Sequence, residues 1–183
     1  MKWLAVLGLL CFMAGPAFAE PDDLQELSPM FKEVARHWEI PETWAVAIAK
    51  TESGLKPWAL NIEGQGYFFA SKDEAMEAAA AALETGRSFD VGLMQVNSFW
   101  LKKYGIPLDA AFDQLANIYL GGFILKKEVE RHGLTSEAIG AYHSPTEDKA
   151  RAYADKVLKL LDETGVQPVV KPVKGVNLPM KIN

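Results

Sequence analysis

The segment Trp44 to Leu55, WAVAIAKTESGL, closes an apolar run with a carboxylate, Glu52. Counting back in steps of four, Glu52 falls below Ile48 and Trp44, so helical spacing puts it on the side that avoids water. Loss of hydration on such a face disfavours the charged form of a carboxyl group. An acid that keeps its proton near neutrality can hand it to a leaving oxygen, which is the acid's task in glycoside cleavage. A glutamate in a last helical turn can also simply reach solvent, and helix position alone does not separate the two readings.

Other chemistries find less support in the residue types. The histidines, His37, His132 and His143, are scattered without the paired spacing of a zinc site. No nucleophile elbow or His-Glu-x-x-His segment is present. A net charge of −5 argues against a nucleic-acid partner, which usually needs a basic footprint.

The elements that must position Glu52 read mainly as helix. Ser28-Pro29 predicts a cap and first helical residue for a helix to about Trp38. Pro41 starts the helix that carries Glu52, and Gly54 and Pro57 end it. Asn61 to Ala70, with two glycines and a run of aromatics, predicts a loop or short hairpin. Ser71-Lys72-Asp73-Glu74 is a capping box that opens an alanine-rich helix to Leu83. The stretch 88–97, SFDVGLMQVN, is broken by Gly92 and predicts turn and loop rather than regular strand.

Asp113 can cap a long helix to about Arg131, inside which Gly121-Gly122 costs about 1 kcal/mol per residue against alanine and implies close approach of another element. Helices over Ser136–Tyr142 and about Thr146–Leu161 complete the set.

The ends have their own signals. Met1-Lys2, the apolar run Trp3 to Ala14 and the A-x-A site Ala17-Phe18-Ala19 form a secretory signal, residues 1–19, with cleavage expected after Ala19. The single cysteine, Cys11, lies inside it, so the mature chain must hold by its core without disulfides. Residues 166–183 carry three prolines and three lysines and no acidic residue, which predicts an extended, mobile tail.

The order TESGLKP, VGLMQVN and GAYHS in an exported helical chain resembles the soluble lytic transglycosylase (SLT) domain from about Phe31 to Leu161. The resemblance implies a mainly α, lysozyme-like α+β fold, residues 20–165, with a small hairpin region lining a glycan-binding cleft. It also implies cleavage of the β-1,4 bond between N-acetylmuramic acid and N-acetylglucosamine in peptidoglycan strands, with a 1,6-anhydro product. By motif position Glu52 is the family's catalytic glutamate and the sole acid/base, with no cofactor and no metal.

Substrate-binding roles follow by the same matching. Gly92 would let the backbone approach the sugar, Met94 would wall Glu52 with apolar surface, and Gln95 would serve an N-acetyl amide or Glu52. Asn97 is grouped with them. Tyr142, and Tyr153 on the last helix, would face the same carboxylate, while Ser53 suits tying down the turn better than reacting. Tyr67, Phe68 and Phe69 lie where a cleft-lining hairpin is expected, at least one of them as core. Met94 and both tyrosines serve equally well as core residues.

His143 stands where the family commonly has asparagine, and a histidine there adds a group that titrates near neutrality. The long alanine-rich stretch from Glu63 to Asp90 resembles versions found beside secretion or conjugation assemblies, which implies an envelope-spanning partner and a periplasmic or cell-envelope location. Two rivals stay open. One is a hydrolytic lysozyme with Asp90 or Glu63 as second carboxylate. The other is a non-catalytic wall-binding assembly protein, against which the costly acid on an apolar face argues.

Overall fold

In the computed structural model residues 21–163 are described, so the secretory segment 1–19 and the tail 166–183 lie outside the described residues. Within them are eight helices and a small antiparallel sheet, the mainly α, lysozyme-like arrangement that the helical periodicity and the family resemblance implied. The elements run α1 Pro21–Trp38, α2 Glu42–Ser53, β1 Ala59–Ile62, β2 Gln65–Phe68, α3 Lys72–Glu84, β3 Phe89–Val91 and β4 Val96–Asn97. They continue with α4 Ser98–Tyr104, α5 Leu108–Ala111, α6 Gln114–His132, α7 Ser136–His143 and α8 Glu147–Glu163. None of these helices is long and apolar enough to cross a membrane.

Helix α1 corrects one expectation. It begins at Pro21 rather than at Pro29, and Pro29 sits inside it, exposed. The stripe Leu27, Phe31 and Val34 is buried at three- and four-residue spacing on the other side, and this packing outweighs the hydrogen bond that proline cannot donate. Helix α2 follows the sequence closely. Trp44, Ile48 and Ala49 are buried, and Gly54 closes the helix in a left-handed conformation at φ 61°, its N–H directed at the Ala49 and Lys50 carbonyls. Helix α3 starts at the expected box: Ser71 accepts from the Glu74 N–H, and the Glu74 carboxylate accepts from the Ala70 N–H.

The strands lie in the order β2-β1-β3-β4, every pair antiparallel. A two-residue turn, Glu63-Gly64, joins β1 to β2 with positive φ at both positions, as a hairpin of this length needs. Residues 88–97 depart from the expected loop. Phe89–Val91 pairs with β1 and Val96–Asn97 pairs with β3, leaving only 92–95 as the turn. The pairing of β3 with β1 is non-local, and β4 is only two residues long, so the broken apolar pattern around Gly92 does not announce either strand.

That turn is fastened to the helices by one buried side chain. The Asn117 amide, 1% exposed on α6, accepts from the Met94 N–H at 2.8 Å and donates to the Val91 carbonyl at 3.0 Å and the Ala111 carbonyl at 2.8 Å. Gly92, at φ 76°, is glycine for the same reason, since an added Cβ would stand 2.4 Å from Asn117 Nδ2. The Gly121-Gly122 pair marks the close approach its composition implied. A Cβ at Gly121 would fall 2.5 Å from Met94 Cβ, and one at Gly122 2.6 Å from Val34 Cγ1. Replacing Asn117 by alanine strands two carbonyls and an N–H in the core. It should lower unfolding stability by about 3 kcal/mol in urea titration, and a loss below about 1 kcal/mol would contradict this account.

Candidate active site

Glu52 occupies the last turn of α2, and its side chain is 13% exposed. The apolar residues before it make that position buried, and the left-handed Gly54 turns the chain away immediately after. The carboxylate is therefore only slightly exposed rather than extended into solvent.

Three elements bring polar groups to it. At the end of α7, His143 Nδ1 stands 3.6 Å from Glu52 Oε1. On α8 the Tyr153 ring lies flat against the His143 ring, centroids 4.4 Å apart and planes 1° from parallel. The Tyr153 hydroxyl is buried beside Glu52 without closing a hydrogen bond of full geometry. Its pKa is pushed up, first by burial and then by the Glu52 charge.

Tyr142, one residue before the histidine, donates its hydroxyl to the Met94 carbonyl at 2.7 Å. Its pKa is also raised well above the ordinary value, by burial and then by the charges of Glu52 and Asp90. Helices α7 and α8 meet closely enough that a Cβ at Gly140 would lie 2.6 Å from the Ala150 carbonyl oxygen, so only glycine fits.

The sheet supplies Asp90 at the middle of β3. Its pKa is raised by burial, countered by a hydrogen bond from Asn97 Nδ2 to Oδ1 at 2.7 Å, with the charges of Glu52 and His143 acting in opposite senses. Asn97 also caps α4 by accepting from the Phe99 N–H at 2.9 Å. It thus fixes Asp90 from a strand end that local helix capping already holds in place. Glu63, the other carboxylate flanking this region, is at the hairpin turn, exposed and paired with Arg87 at 3.0 Å. Of the two, Asp90 is the one whose charge is felt at Glu52.

The remaining residues singled out in the sequence act on the scaffold. Ser53 is buried, with its hydroxyl 2.8 Å from the Leu93 carbonyl and 3.1 Å from that of Ala49, which ties the 92–95 turn to α2. Gln95, at φ 45°, donates its amide to the Gly92 carbonyl at 2.9 Å and the Ala59 carbonyl at 3.3 Å. Met94 is fully buried, and its side chain fills the space over Gly121. The volume left open by Gly92 is occupied by Asn117. On the hairpin, Phe68 is 69% exposed and Tyr67 39% exposed, while Phe69 packs against the core.

Sequence reading passed over Asn117, which organises the turn from 23 residues away. Its signal was available: an amide on the apolar side of a predicted helix, one residue before Ile118, needs partners. Among the described residues, no group of three or more His, Cys, Asp or Glu side chains converges as a metal ion would require.

The geometry can be set beside known proteins. The family model described as the transglycosylase SLT domain matches residues 29–158. The type IV secretion system protein virB1 of Brucella abortus (strain 9-941) is 30% identical over 151 residues, covering 73% of this chain and 63% of that protein. The invasion protein IagB of Salmonella typhi is 35% identical over 106 residues, covering 53% of this chain and 66% of its own length. A transglycosylase of Enterobacteria phage PRD1 is 34% identical over 95 residues, covering 47% of this chain and 34% of the phage protein. The chain thus spans a little under two thirds of the virB1 proteins it matches. With most of α1 through α8 inside the matched span, this chain belongs to the transglycosylase SLT domain family.

Proposed function

We propose that the protein is a lytic transglycosylase that cuts the β-1,4 bond between N-acetylmuramic acid and N-acetylglucosamine in peptidoglycan and leaves a 1,6-anhydro end, with Glu52 as its acid and base. The observation that carries this reading is the carboxyl of Glu52, 13% exposed, with His143, Tyr142 and Tyr153 gathered beside it. Membership of the family supports the reaction class.

The chemistry follows from one carboxyl group. Protonated Glu52 gives its proton to the glycosidic oxygen as the bond from C1 to that oxygen breaks. The resulting carboxylate then takes the proton of the sugar's own 6-hydroxyl while O6 bonds to C1. That hydroxyl is already held on the reacting sugar, so the attack has the advantage of an intramolecular nucleophile, and no second carboxylate or water is required. The substrate's N-acetyl group helps carry the positive charge that develops at the ring. The 92–95 turn lies along the glycan path as a braced unit. Gly92 makes room for Asn117, the Gln95 amide is bonded back to the turn, Asn97 is held on Asp90, and Ser53 and Met94 fasten it from behind.

The names of the relatives suggest where this happens. Similarity to a type IV secretion system protein and to an invasion protein supports action in the periplasm, opening peptidoglycan locally for an envelope-spanning assembly.

A second reading has one observation in its favour. Asp90 lies close enough to Glu52 for their charges to interact, as a second carboxylate would in a hydrolytic muramidase. Product chemistry separates the two. Mass spectrometry of fragments released from purified peptidoglycan should show anhydro ends with the wild type. With Glu52→Gln the rate should fall at least ~100-fold while the fold and glycan binding persist. Reducing ends in place of anhydro ends would move the assignment to hydrolysis, and an unimpaired Glu52→Gln variant would remove Glu52 from the chemistry.

Asp90 also makes a pH prediction. Its raised pKa means the folded protein holds that proton more tightly than the unfolded chain, so stability from this group is present below the ordinary value of 3.8 and is lost as pH rises through the folded value. Asp90→Asn, which can still accept from Asn97, should therefore be more stable than the wild type at pH 7, with the difference shrinking toward pH 3 in paired thermal melts. A difference that grows on acidification would show the sign to be wrong.

A further inference from the structure

We propose that His143 is a positioning residue for Glu52: its neutral ring donates from Nδ1–H to Oε1, so that the carboxyl proton resides on Oε2 and points at the substrate. The inference rests on the proposed role of Glu52 as the acid and adds a named group that orients it.

Three observations carry it. Nδ1, rather than Nε2, is the nitrogen turned toward the carboxyl group, at 3.6 Å from Oε1. The ring is 46% exposed, and the one face it packs is laid on Tyr153 at 4.4 Å and 1°, which favours the orientation that keeps Nδ1 toward Glu52. The two helices carrying those rings are in turn locked together where Gly140 meets the Ala150 backbone. The separation is slightly longer than a hydrogen bond, as is common in unliganded sites that tighten around substrate.

Of the two neutral tautomers, only the one protonated at Nδ1 can serve. When Glu52 is protonated, Nδ1–H donates to its carbonyl oxygen and leaves the hydroxyl on the other oxygen. After that proton has gone to the glycosidic oxygen, the same N–H donates to the carboxylate, which then receives the proton of the 6-hydroxyl. The ring neither gains nor loses a proton in the cycle.

A protonated His143 works against the first step. The groups near it are Glu52 from α2, Asp90 from β3 and Tyr153 from α8. An imidazolium among two carboxyl groups favours Glu52 as carboxylate and withholds the proton the leaving oxygen needs. The rate should therefore fall on the acid side in the wild type.

The first test needs no turnover. Long-range 1H–15N correlation of the imidazole nitrogens at pH 8 should show His143 neutral and protonated at Nδ1; protonation at Nε2 instead would overturn the proposal. The second uses soluble glycan fragments. His143→Ala should lower kcat about tenfold with KM within twofold, and His143→Asn, whose amide can donate from a similar place, should recover most of kcat and lose the acid-side fall. An alanine variant with wild-type kcat, or an asparagine variant that retains the wild-type acid limb, would also overturn it. A fully active Glu52→Gln would overturn the parent reading and the positioning role with it, whereas a wrong tautomer with an inactive Glu52→Gln would overturn the positioning role alone.

Discussion

One amide holds the two halves of this molecule in register. The backbone of residues 91–94 has to leave a strand, turn and approach the helices, and in doing so it exposes carbonyls and N–H groups that no sheet partner can satisfy. Asn117 takes an N–H and a carbonyl of that turn together with the end of α5, using both of its amide atoms. Gly92, Gly121 and the buried Met94 are each consistent with that single attachment. Because Tyr142 and Ser53 bond to carbonyls of the same turn, the walls around Glu52 inherit their positions from it.

The site built on this frame joins groups of unequal surroundings. Glu52, Tyr142 and Tyr153 come from helices that bury one another, and both phenols are driven far toward their neutral forms. Neutral phenols beside a carboxyl group supply polarity without competing charge. Asp90 comes from a strand, where Asn97 partly compensates its burial. The carboxyl groups therefore meet across a boundary between helix and sheet, each braced from its own side.

Much of this could be seen in the residue order. The side of the helix on which Glu52 falls, the cap at Ser71 and the cap at Asp113 follow from local spacing, since each depends on residues within one or two turns. Gly121-Gly122 announced that something would pack there, but not that it would be Met94 and Val34. Pro29 misled because a buried stripe on the opposite side of α1 overrode a local signal. Strand β3 was hidden because its partner β1 lies some thirty residues earlier, and β4, a two-residue strand, pairs only with β3 across the 92–95 turn. For Asn117 the sequence shows a polar residue among apolar ones but not which backbone groups it will meet. The pairing of His143 with Tyr153, ten residues on and in another helix, is equally a product of the tertiary fold.

The glycine at position 140 has a consequence beyond packing. By admitting the Ala150 backbone so closely, it makes α7 and α8 behave as one solid piece, and the rings of residues 142, 143 and 153 travel with that piece. Asp90 belongs to a three-residue strand in a four-stranded sheet whose outer strand, β2, is exposed along its whole length. The two sides of the site are nevertheless joined, because Ser53 and Tyr142 both bond to the 92–95 turn that continues from β3. A lineage that remodelled its sheet would therefore move Asp90 and the grip on Ser53 and Tyr142 together, so the spacing of the two carboxyl groups and the seat of the acid change as one.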